Sequence, residues 1–211
     1  MSLQNRVDPW GAIIRSHARG TLMGNRGGAL HNEQREILRP FKSRRWITCL
    51  LDFKGRKRAV MSPHRYTELF FLDEAVALAA GHRPCAECRR ERFHAFKDSW
   101  MRREEVDLSV PLRAADIDAE LHEARGDRRD RGRKVTYEAI LKELPNGSFI
   151  ELDGSAYLVW NDALLLWTPE RYSRKEPRSN GLTVTVLTPQ PTVQCLRQGY
   201  EPEVHESVDA F

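Results

Sequence analysis

Several things are scarce in this chain of 211 residues, and each scarcity excludes something. The longest apolar runs, Ala75–Ala80 and Ala163–Trp167, fall far short of the roughly 20 residues a helix needs to cross a bilayer, so no membrane partner is expected. Four cysteines are too few for a disulfide-stapled secreted scaffold, and the first ten residues hold no apolar run of signal-peptide length. A cytoplasmic protein with reduced thiols is therefore expected. No glycine-rich phosphate loop follows a strand-like run, and no Gly-x-Ser-x-Gly occurs, so neither P-loop chemistry nor an esterase-type serine has a motif to stand on.

What is present suits a folded, mildly basic protein of one or two domains. Apolar residues make up 40% and charged residues 30%, and five Trp, eight Phe and five Tyr supply enough core material to exclude wholesale disorder. The net charge of +4 hides a strong asymmetry. Between Arg35 and Arg58 nine basic residues face two acids, and between Arg83 and Arg103 seven face three, whereas the C-terminal tail is acidic through Glu201, Glu203, Glu206 and Asp209. Charge asymmetry of this kind bears on partners rather than on fold.

Periodicity and turn residues predict an α+β chain. Ile47, Cys49, Leu51 and Phe53 alternate, Gly55 offers a turn, and 58–61 can return, which predicts a hairpin. Asn32 is expected to cap a short helix ending before Pro40. Asp73 starts a helix over 74–80 that Gly81 terminates. A second helix is expected from just after Pro84 to about Arg103, with Phe93, Phe96 and Trp100 on one stripe, and a third over Ala114–Ala124. Beyond these, Asn146-Gly147, Asp153-Gly154 and Asn161-Asp162 separate three strand-like runs over 148–152, 156–160 and 163–167. A strand over 182–187 and a helix over 192–198 follow. The expected organisation is a hairpin and helical part over 1–124, a basic, solvated loop or linker over 125–134, and a smaller β-meander-rich part over 135–211.

One segment carries chemical information. Residues 70–90 read FFLDEAVALAAGHRPCAECRR, an alanine-rich helix leading into Gly-His-Arg-Pro-Cys-x-x-Cys. This segment resembles the zinc-binding N-terminal domain of the Ada DNA-repair methyltransferases, with Gly81, Arg83, Pro84, Cys85 and Cys88 matching and His82 at an aromatic position. The resemblance covers about 20 residues; the remainder resembles only bacterial proteins without an assigned activity. It implies a knuckle in which Cys85 and Cys88 hold a zinc ion together with donors from elsewhere, and an association with nucleic acid. The upstream cysteine pair of that family, which includes its methyl acceptor, has no counterpart here, so methyl transfer to cysteine is not expected.

The nearest residues able to complete a metal set are Cys49, His64 and, on the following helix, His94. A metal-free knuckle and a redox-active dithiol are the other readings of the same two cysteines. Arg44, Arg45, Trp46, Arg56, Lys57 and Arg58 around the expected hairpin, with Arg83, Arg89 and Arg90 around the knuckle, form a candidate nucleic-acid face on which Trp46 could stack a base. A solvated hairpin and helix explain the same charges without a partner. Asp118 and His122, four apart on a helix, and His31-Asn32-Glu33 are weaker candidates for metal or acid–base work. The functional expectation is a non-catalytic, nucleic-acid-associated module. A metal-dependent hydrolase such as a nuclease, and a module whose basic face meets an acidic protein, are the alternatives.

Overall fold

The computed structural model describes residues 2–55, 59–103, 111–126 and 134–211. The fold is α+β, with four α-helices and two six-stranded sheets among the described residues. The first sheet contains β1 (Gln4–Val7), β2 (Ile13–Arg15), β3 (Leu22–Asn25), β4 (Ile47–Cys49), β5 (Leu69–Phe71) and β6 (Arg83–Pro84), in the order β2-β1-β5-β3-β4-β6. Its β1–β5 and β4–β6 pairs are parallel and the others antiparallel.

The second sheet is wholly antiparallel. It is built from β7 (Tyr137–Ile140), β8 (Phe149–Leu152), β9 (Ser155–Trp160), β10 (Ala163–Trp167), β11 (Tyr172–Pro177) and β12 (Thr183–Val186), in the order β11-β10-β9-β8-β12-β7. The expected meander is its β8–β10 core. Asp153 and Gly154 both adopt positive φ at one of its turns, as that turn type requires.

Between the sheets lies α1 (Glu74–Ala79), every residue of which is buried. Such a short helix is held by its caps: Asp73 Oδ1 accepts from the Val76 N–H at 2.9 Å, and Gly81, at φ +87°, turns the chain away. Asp73 Oδ2 also accepts from the Tyr172 hydroxyl (2.7 Å) and the His205 N–H (2.9 Å), tying α1 to the second sheet and to the C-terminal segment. The largest apolar cluster joins Leu22, Leu69, Phe71 and α1 to Phe149, Leu158, Leu165 and Tyr172, so both sheets contribute to one core. A second cluster lies where α2 (Arg90–Met101), α3 (Ala114–Arg125) and α4 (Gln190–Arg197) meet, around Phe93, Phe96, Trp100, Ile117, Leu121 and Leu196.

Three local expectations are corrected. The Asn32–Pro40 segment forms no helix; His31 bridges Ile37, and Asn32 instead caps a turn by accepting from the Glu36 N–H at 2.9 Å. No strand forms at Ala59–Met61, and β4 pairs with β3 and β6 rather than with a hairpin partner. Ile47, Cys49, Leu50, Leu51 and Phe53 all line a cavity, and the chain bends beyond β4 instead of continuing as a strand. The helix expected directly after Pro84 begins at Arg90; Pro84, which has no N–H to donate, ends the edge strand β6, and a turn carrying both cysteines intervenes.

The ends of the expected basic linker are not solvated. Arg125 is buried, donating to the carbonyls of Gly81 (2.9 Å) and Arg44. Lys134 reaches inward, and its Nζ donates to the carbonyls of Pro9 (2.7 Å) and Ala79. Residues 127–133 between them lie outside the described residues.

Candidate metal centre

The parallel pairing of β4 and β6 matches Ile47 with Arg83 and Thr48 with Pro84. The next residue along the chain is in each case a cysteine, so the register sets Cys49 beside Cys85, and the Cys85 N–H donates to the Thr48 carbonyl at 2.8 Å. The turn that follows brings Cys88 back toward the same point. The three sulfurs lie within 4.8 Å of one another, close enough to share one ion.

Their mutual hydrogen bonds already separate the three thiols electrostatically. Cys49, then Cys88, donate toward Cys85 and hold its thiol far below the ordinary range, with the backbone N–H groups of Cys88 and Glu87 adding to the effect. The same bonds, together with burial, push the Cys49 thiol up. Three sulfurs converging at this distance suit a soft cation, which binds thiolates and displaces their protons.

Two arginines brace the cysteine-bearing turn. Arg83 is buried and grips Asp118 of α3 through Nε and Nη2, both at 2.8 Å, while its Nη1 donates to the Pro84 carbonyl at 3.0 Å. Arg89, also buried, donates to Thr48 Oγ1 (3.1 Å) and pairs with Glu74 of α1 (3.0 Å) and Glu203 of the C-terminal segment (2.6 Å). The cysteine-bearing turn is thus fixed to α1, α3, β4 and the C-terminal segment.

Among the described residues, three of the expected nucleic-acid contacts are engaged inside the protein. Arg83 and Arg89 are spent internally, as above. Trp46 is buried beneath the guanidinium groups of Arg26 and Arg125, which lie over its ring at 3.9 and 4.0 Å, and its Nε1 donates to the Ser43 carbonyl, so it has no free face for a base. Arg44, Arg45 and Arg90 are exposed, and Arg56, Lys57 and Arg58 lie outside the described residues. Of the other metal candidates, His64 is exposed with Nε2 3.4 Å from Glu33, and His94 is exposed on α2; neither joins the sulfur cluster. Asp118 is committed to Arg83, and His31 is buried against Thr67 Oγ1 at 2.6 Å. Cys195 is isolated in the helical core, where burial pushes its thiol up to about 12.

All three clustered cysteines line a cavity of about 410 Å³. Its walls are largely apolar, from Met23, Ile47, Leu51, Val60 and Phe70, with Asn25, Tyr66, Glu68 and Glu87 as the polar exceptions. Glu68 is 4% exposed and accepts from the Met61 N–H at 2.8 Å. Sequence reasoning missed it, although an acid opening the apolar run Leu69–Leu72 was the available signal. Comparisons with protein-family models, curated proteins and solved structures find no match for the chain.

Proposed function

We propose that this protein is a metal-thiolate protein with an open site: Cys49, Cys85 and Cys88 hold one zinc ion, and the fourth coordination position faces the adjoining cavity. The observation that carries this reading is the convergence of three sulfurs within 4.8 Å on the wall of a cavity, with no fourth His, Cys, Asp or Glu in the group among the described residues. Thiolate sets select soft or borderline ions such as zinc. Structural zinc sites close with four protein ligands, whereas sites that work on a ligand keep three and leave one position free. The Ada-like segment supplies two of the three donors, and the reading favours the metal-dependent enzyme class over a purely structural knuckle.

The test is elemental analysis of the purified protein beside a Cys85→Ser, Cys88→Ser double variant. About one zinc per chain, lost in the variant, is the expected result. A metal-free protein that is as stable as the double variant would reject the reading. Nucleic-acid association rests on the exposed Arg44, Arg45 and Arg90. It calls for DNA and RNA titrations across salt, where affinity that falls steeply with salt would support it.

A further inference from the structure

We propose that the ligand admitted to this site is a small aminothiol, its sulfur taking the fourth metal position and its ammonium group pairing with Glu68. The inference rests on the metal reading above and adds the chemical class of the ligand. Two independent features of the cavity specify the two ends of that molecule.

The first is the donor set. Three thiolates more than neutralise a divalent ion, leaving a centre of net charge −1. Such a centre polarises a bound water less strongly than one built on neutral imidazoles. Its softness instead matches a fourth sulfur, which binds as the thiolate after giving its proton to solvent. The thiolate so held is electron-rich and screened by the apolar walls of the cavity.

The second is Glu68. Its carboxylate is almost fully buried and lines the cavity, yet among the described residues it accepts only from the Met61 N–H and no Lys or Arg pairs with it. A buried carboxylate without a counter-ion is costly, and a cation from outside would relieve that cost. Glu87, the other acid of the lining, is exposed and lies 4.0 Å from Lys54. Among the described lining residues there is no Lys or Arg. The volume of about 410 Å³ suits a small molecule, and the apolar walls suit the aliphatic link between its two ends.

The experiment uses the full-length protein with cobalt(II) in place of zinc, because each sulfur bound to cobalt adds ligand-to-metal charge-transfer absorption. Cysteamine, 2-mercaptoethanol and ethanolamine are titrated separately, with cobalt retention checked by gel filtration. Cysteamine should raise the charge-transfer band saturably. Mercaptoethanol should do so with affinity at least about tenfold weaker, and ethanolamine not at all. Glu68→Gln, whose amide oxygen can still accept from Met61, should remove the advantage of cysteamine over mercaptoethanol. Equal affinity for the two thiols in the parent protein overturns the assignment of the ammonium to Glu68, whether or not the variant folds. A cobalt-loaded protein whose spectrum ignores all thiols, or one stripped of its cobalt by them, overturns the inference and leaves the metal reading standing. Failure to bind cobalt at all rejects the metal reading itself.

Discussion

At the scale of single residues, three side chains expected on a binding face, Arg83, Arg89 and Trp46, instead hold the molecule together. Arg83 and Asp118 form a bidentate pair whose side chains are only 3% and 9% exposed. Removing one partner of such a pair strands a charge, so Asp118→Ala should cost about 3–5 kcal/mol in a urea titration. An apolar double replacement of both residues should recover much of that loss. Lys134 gives a pH signature. Desolvation lowers its ammonium from 10.5 to about 7 in the folded protein, so between those values the unfolded chain binds the extra proton and stability rises with pH. Below pH 7 both states are protonated and the contribution is flat. Lys134→Met should therefore reduce the gain in melting temperature between pH 7 and pH 9. An equal gain in parent and variant would refute the assignment. None of these roles was legible locally: an arginine beside a turn reads as solvated until its partner, 35 residues away in the case of Asp118, is placed.

At the scale of elements, legibility followed how local the pairing is. The span Asp73–Gly81 announced its own cap and stop, and the β8–β10 meander was marked by turn dipeptides between neighbouring strands. The strands β1, β2, β3 and β5 are three or four residues long, too short to show a period, and β1 and β3 both pair with β5, more than 40 positions away in sequence. The same holds for the site. Cys85 and Cys88 were evident as a motif and Cys49 stood beside His64 and His94 as a candidate partner, but only the parallel pairing of β4 and β6 singles out Cys49. At Gly81 the element and its packing make one demand. Its positive φ disfavours any side chain, and a Cβ there would sit 2.5 Å from Arg125 Cδ. Gly81→Ala should lower the melting temperature by several degrees, an amount consistent with more than about 1 kcal/mol. An unchanged melting curve would show that Arg125 moves aside at no cost.

At the scale of the whole molecule, the two sheets are joined by a common core rather than by a linker alone. Phe71 and α1 on one side and Phe149, Leu158 and Tyr172 on the other belong to one apolar cluster. The C-terminal segment returns to α1 through the Tyr200 hydroxyl on Glu74 and the Glu203 N–H on the same carboxylate. A protein cleaved once within 127–133 should therefore elute from gel filtration as a single particle of the parent's size, with the two fragments separating only in denaturant. Elution as two smaller species would instead establish two autonomous domains. The β4–β6 register has one further consequence, which concerns the unfolded chain. Cys49 and Cys85 stand 36 positions apart, and the chain between them includes both β5, at the middle of the first sheet, and α1. An ion bridging those sulfurs is a reversible staple around a loop whose closure would withdraw roughly 4 kcal/mol of freedom from the disordered state. Loading the site would then narrow the search for the native topology to the very segment whose pairings are most distant, and the rate of refolding would become a function of free metal.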